Sequence, residues 1–153
     1  MIATIQRVDS AAVSVDKKTV GSIGQGLLVL LGVFNHDSTE DCDILAKKVS
    51  KLRVFCDEFD KMNLSLLDIN GSALVVSNFT LCADTKKGNR PSFSNAKEPQ
   101  EAEKLYNLFV ECLKNEGVSQ VQCGQFGGAM RIAAKLNGPI TISLDTLQWR
   151  KGQ

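Results

Sequence analysis

The sequence predicts an α+β domain, with a mostly antiparallel, barrel-like β-sheet carrying two main α-helices. Three observations point there. Strand-length segments, alternating or wholly apolar, recur along the chain and are joined by short turns rich in Gly, Asn and Asp. Only two stretches carry a sustained apolar period of three and four residues. The 153 residues, 43% hydrophobic and 23% charged, suit one globular domain over 1–153, without linker, repeat or low-complexity tract.

Each element has its own reason. "MIATIQRV" alternates and reads as a first strand. "AAVSVDKKTVGSIGQG" reads as a hairpin turning at Asp16-Lys17-Lys18, with a second turn at Gly24-Gln25-Gly26. The apolar run from Leu27 to Val33 is of strand length and predicts a strand buried on both faces. Ser38 followed by Glu40 and Asp41 is a helix start, and Cys42, Leu45, Ala46, Val49, Leu52 and Phe55 continue one apolar face opposite Lys47, Lys48 and Lys51. Asn70-Gly71 signals a hairpin that returns as a buried strand from Ala73 to Val76. A second helix opens near Pro99, carries a stripe of Ala102, Leu105, Tyr106, Phe109, Cys112 and Leu113, and stops at Gly117. Short strands are predicted over 118–123, 130–134 and 140–144, and the tail "QWRKGQ" is expected to fray.

One detail resists this simple scheme. In "KLNGPITISL", Asn137, Gly138 and Pro139 stand directly before an alternating strand. Proline lacks an N–H and fixes its own φ, so it interrupts a ladder unless it lies at a strand's start or edge.

Composition narrows the chemistry. A net charge of +1 gives no global signal for nucleic acid, so such binding must rest on a local patch. No apolar run approaches a membrane span of about 18 residues, and the opening residues lack signal-peptide order. Five widely spaced cysteines without a C-x-x-C pair argue against a disulfide framework or a structural zinc site. The expectation is a cytoplasmic chain with free, mostly buried thiols, no cofactor, no metal and no membrane partner. The single histidine, His36, lies in the polar turn "FNHDSTED" and would have to be the base of any Ser-His or Cys-His hydrolase. A loop histidine is also ordinary solvated surface. An enzyme built from these residues works with backbone N–H groups, hydroxyls and groups brought by its substrate.

Three segments hold more polar and glycine residues than structure alone requires. In "SNFTLCADT", Ser77, Asn78, Phe79 and Thr80 can gather hydroxyls, an amide and free N–H groups at a strand end, although Ser and Thr also simply finish strands. In "DTKKGNRPSF", Lys86, Lys87 and Arg90 surround Gly88 and can hold phosphates, or form a solvated loop. In "GQFGGAM", paired glycines between Phe126 and Met130 allow close backbone approach to a ligand, or only make a turn.

Taken together, the chain resembles the D-aminoacyl-tRNA deacylase family. The likeness runs nearly end to end through "IQRV" (5–8), "GLLVLLGV" (26–33), "KMNLSLLDINGSALVVSNFTL" (61–81), "DTKKGNRPSFSNA" (84–96), "FGGAM" (126–130) and "NGPIT" (137–141). "SNFTL" and "NGPIT" each resemble one of the family's two signature segments. The resemblance implies the family's fold, and a homodimeric hydrolase of the ester between a D-amino acid, or glycine, and the 3′ end of tRNA. It implies a cis Gly138-Pro139 bond in a loop that enters the partner subunit's site and rejects L-residues by steric contact with backbone carbonyls. Arg7 is then the brace of this loop, and Asn78, Phe126, Met130, Gly138 and Pro139 contact substrate. Ser77, Phe79 and Thr80 serve the reaction, and Lys86, Lys87 and Arg90 hold tRNA phosphates. Two departures stand near this pocket: Asn78 where the family usually has glutamine, and Leu136 where it usually has asparagine. They keep two alternatives in play, a non-catalytic tRNA-binding module and a deacylase of relaxed chirality for another misacylated tRNA.

Overall fold

The computed structural model describes residues 1–150. Strand β1 (Ile2–Val15) is the axis of the sheet. Along one edge it pairs antiparallel with β3 (Gly26–Gly32) and then with β2 (Lys18–Ile23); along the other it pairs with β8 (Met130–Asp145). Asp16 and Lys17 both take positive φ, 49° and 63°, the conformation a two-residue hairpin turn requires, so the predicted turn is present.

Beyond β3 the pairing changes direction. Strand β6 (Ser72–Ser77) lies parallel to β3, and β7 (Gln120–Cys123) lies parallel to β6. The sheet is thus mixed, with its parallel part reached through crossovers that carry α1 (Thr39–Lys51) and α2 (Pro99–Asn115). Strand β2 then folds back on β7: a Cβ added at Gly21 would lie 2.5 Å from the Cys123 carbonyl oxygen. The sheet therefore curls into a nearly closed barrel.

The run at 27–33 now has its reason. Leu27, Val29 and Leu31 face the helices, where Cys42, Leu45 and Val49 of α1 and Tyr106, Phe109 and Leu113 of α2 complete the larger core. Leu28 faces the barrel interior with Val8, Val13, Ile23, Leu74 and Val76. A strand between two cores has no polar face to alternate with.

Several expectations are corrected. Asn70-Gly71 turns the chain but makes no hairpin: the Gly71 N–H donates to the Leu66 carbonyl at 2.9 Å, and β6 finds its partners in β3 and β7. The residues before the turn are bound by local Ser65 and Asp68 hydrogen bonds, so no strand is there to fold back on. Helix α1 ends at Lys51, and Phe55 belongs to β4 (Phe55–Cys56), paired with β5 (Met62–Leu64). The strands predicted at 130–134 and 140–144 are one strand, β8. On it, residues 137–140 bulge out opposite Arg7, between the pairs Gln6↔Thr141 and Val8↔Leu136. That bulge is how the ladder tolerates Pro139.

The tail is ordered as far as it is described. Thr146–Gln148 form a 3-10 turn, Trp149 lies under the Lys48 ammonium, and Arg150 forms ion pairs with Asp37 and Asp41. The remainder of the predicted frayed segment, 151–153, lies outside the described residues.

Candidate active site

Strand β6 delivers the first polar segment to the barrel's end. Its last residue, Ser77, is followed by Asn78, whose N–H donates to the Leu31 carbonyl at 2.8 Å. The chain then tightens into a 3-10 turn, Phe79–Cys82. The first N–H groups of such a turn have no intrahelical acceptor, so those of Phe79 and Thr80 are available to another partner. Phe79 is 58% exposed and meets Phe93 edge to face at 5.0 Å.

A cavity of about 710 Å³ opens here. Ser77, Asn78 and Phe79 line one side; Phe126, Gly127, Gly128 and Met130 line another. Leu31, Val33, Ala102 and Tyr106 form its apolar floor. The Tyr106 hydroxyl donates to the Val75 carbonyl at 2.8 Å, and burial, with Cys123 beside it, pushes the phenol upward in pKa. Tyr106 is therefore a neutral wall. The Thr80 hydroxyl donates to the Asn78 side-chain oxygen and does not itself line the cavity. An amide oxygen is no base, so this contact orients Thr80 without activating it.

The remaining predicted residues form two other groups. Arg7, Gly138 and Pro139 lie away from this chain's own cavity. The Arg7 Nε donates to the Asn137 backbone carbonyl at 3.1 Å, Nη2 to the Asn137 side-chain oxygen at 3.1 Å, and Nη1 to the Val54 carbonyl at 2.7 Å. One guanidinium thus ties the bulge to the segment before β4. The Gly138-Pro139 peptide is cis, and Gly138 has φ +129°, where an added Cβ would sit 2.8 Å from the Ile140 nitrogen. Lys86, Lys87 and Arg90 stand exposed on a loop closed at its base by the Asp84↔Ser92 bridge, next to Phe93.

His36 is outside the cavity lining, stacked on Phe34 at 5.3 Å. Burial pushes the Cys42 and Cys112 thiols up to about 12 and Cys82 to about 11, so none of the three is a thiolate at neutral pH. Among the described residues, no group of three or more His, Cys, Asp or Glu is arranged to hold a metal ion.

Sequence reading missed Phe93, Lys97, Glu98 and Tyr106. Lys97 donates to the Asn35 carbonyl at 2.8 Å, while the Glu98 carboxylate caps α2 by accepting from the Gln100 and Glu101 N–H groups. Glu98-Pro99 was legible as a helix start, and Tyr106 as part of the helix stripe. That both face a cavity depends on where α2 crosses the sheet.

Known proteins match this arrangement. The family described as D-Tyr-tRNA(Tyr) deacylase matches residues 4–145. The D-aminoacyl-tRNA deacylase of Clostridioides difficile (strain 630) is 51% identical over 95% of this chain and 97% of its own. That of Thermosipho africanus (strain TCF52B) is 52% identical over the same shares. Among solved structures, the c-Myc DNA unwinding element binding protein superposes with a TM-score of 0.90 at 37% identity, covering 95% of this chain and 98% of that one. A probable eukaryotic D-amino acid tRNA deacylase superposes with a TM-score of 0.82 over 94% and 97%; at 17% identity it supports the fold alone. From residue 4 to residue 145, then, this chain belongs to the D-Tyr-tRNA(Tyr) deacylase family, hydrolases of the aminoacyl ester whose curated members here are D-aminoacyl-tRNA deacylases.

Proposed function

We propose that this chain releases D-amino acids from tRNA, and glycine mischarged on tRNA-Ala, as a homodimer in which residues 137–140 of one protomer enter the cavity of its partner. The observation that carries this reading is the bulge itself. It is held rigidly by Arg7 yet serves no cavity of its own chain. Ile132 and Leu136, 41% and 44% exposed on the same strand, are apolar surface that a second copy would cover.

Selection then follows from sterics. Main-chain carbonyls presented to the substrate Cα cannot swing aside as side chains do. A D-side chain points away from them, glycine has none, and an L-side chain collides. Thousandfold rejection needs about 4 kcal/mol, within the reach of a hard clash. For the chemistry, the Phe79 and Thr80 N–H groups stabilise the developing oxyanion. Water attacks with help from the terminal ribose 2′-hydroxyl, which supplies what a cavity without imidazole does not. Thr80, hydrogen-bonded to Asn78, orients groups and is not the nucleophile.

The test is incubation with D-Tyr-tRNA, L-Tyr-tRNA and Gly-tRNA-Ala. Release of D-tyrosine and glycine, with L-tyrosyl ester spared by about three orders of magnitude, is the expected result. Equal hydrolysis of both enantiomers would overturn the steric selector. A second reading, a nucleic-acid-binding module without turnover, draws on the 37%-identical neighbour named for DNA binding; tRNA binding without any release would favour it.

A further inference from the structure

We propose that the β1–β2 turn is a second phosphate-binding contact, gripping the tRNA backbone together with loop 84–92. This rests on the tRNA reading above and extends it to residues outside the signature segments. Lys18, Val15 and Met130 lie in register across β2, β1 and β8, so their side chains share one sheet face. Met130 on that face packs against the barrel-interior cluster and lines the cavity. Two strand spacings of about 4.8 Å separate it from Lys18, so a lysine side chain there reaches the mouth.

Lys17 forms the tip of the turn; Arg131, next after Met130 and in register with Ser14 and Thr19, alternates to the opposite sheet face and does not belong to this group. Lys17 and Lys18 are exposed, and among the described residues neither makes an ion pair. Lys51, Lys104, Lys114 and Lys135 are each matched to a carboxylate, while Lys47 and Lys61 are exposed and likewise without an ion pair. Asp16 is the acidic residue in the turn itself, and it leaves the group net positive. Lys86, Lys87 and Arg90 rise from a separate loop next to Phe93, which meets Phe79 and lines the cavity with it. Unpaired cations thus stand next to the cavity lining on two separate elements, beside Phe93 and in the row of Met130, an arrangement suited to a strand carrying phosphates both before and after the nucleotide that enters. Contacts of this kind hold the backbone in position and read no bases.

The experiment measures binding of deacylated tRNA by the full chain against KCl concentration. Lys17 sits at positive φ, so Lys17→Asn, which tolerates that region, combined with Lys18→Gln removes both charges and keeps the turn. Each lost phosphate contact flattens the slope of log K on log salt by about 0.7 to 0.9. The double variant is expected to lose between one and two such steps. Lys47→Ala, on the exposed side of α1, is the control expected to leave the slope alone. An unchanged slope in the double variant, while Lys86→Ala with Lys87→Ala flattens it, would overturn this contact and leave the deacylase reading intact. A wild-type protein that binds no tRNA would overturn both.

Discussion

Two arginines brace two segments of this molecule, and they do it with different chemistry. Arg150 grips charge: its guanidinium lies 3.0 Å from Asp37 and 2.5 Å from Asp41, carboxylates that are almost wholly buried. The α-amino group of Met1 joins the same cluster, donating to Asp37 at 2.5 Å and to Thr146 at 2.6 Å. Arg7 grips neutral oxygens, two on Asn137 and one on Val54. The first arrangement fastens the chain's last described turn to the start of α1. The second fixes the shape of an exposed bulge. Buried opposite charges respond strongly to loss of a partner or of ionisation, whereas a cation on amide oxygens gives geometry without pH dependence.

That contrast can be broken most forcefully at Arg150. Arg150→Ala leaves Asp41 with fewer partners in a buried site, and a loss of about 3 kcal/mol is expected. Chemical denaturation checks it, with turnover per folded molecule unaltered because the cluster lies apart from the cavity. Next in size is acid. Burial acts to raise the Asp41 carboxyl, but hydrogen bonds from Thr146, Arg150 and the Ser38 N–H outweigh it and bring it down to about 2. A carboxyl lowered on folding stabilises above its unfolded pKa near 4 and loses that contribution as pH falls towards 2. At about 1.4 kcal/mol per pH unit, the amount is about 2 kcal/mol. Melting curves between pH 5 and pH 2 should converge for wild type and Asp41→Asn; parallel curves would contradict the assignment.

Arg7→Ala should act the other way round. It is expected to weaken the preference for D-Tyr-tRNA over L-Tyr-tRNA about tenfold, or about 1.4 kcal/mol, with less effect on stability than Arg150→Ala. Retained chiral preference would separate the bulge from selection. The smallest effect is at the basic loop, where Lys86→Ala with Lys87→Ala should flatten the salt slope of tRNA binding by about 1.4 to 1.8. An unchanged slope would remove the loop from the interface.

The two braces also differ in how legible they were. Arg7 carried a signal because "QRV" resembles a family segment, and its tie to Asn137 spans β1 and β8. Arg150 carried none. It stands in a polar tail that reads as loose, and its partners lie more than a hundred residues away. Long-range pairing of this kind has no local period to betray it. The same holds for Asn70-Gly71, where a strong turn signal was right about the turn and wrong about the partner.

Local chemistry in the chain determined the first strand, the buried strands near 27–33 and 73–76, both helices, the Ser38 cap of α1 and the β1–β2 turn. These follow from side-chain period, φ preference and capping, which act over a few neighbouring residues. Tertiary structure alone decided that β6 and β7 run parallel, that β8 is continuous through Pro139, and that α2 brings Tyr106 beneath Asn78 and Phe126. It also decided that the bulge is no part of the lining of its own chain's cavity. Those outcomes depend on which distant surfaces bury one another, and burial energy is a property of the assembled fold rather than of any one segment.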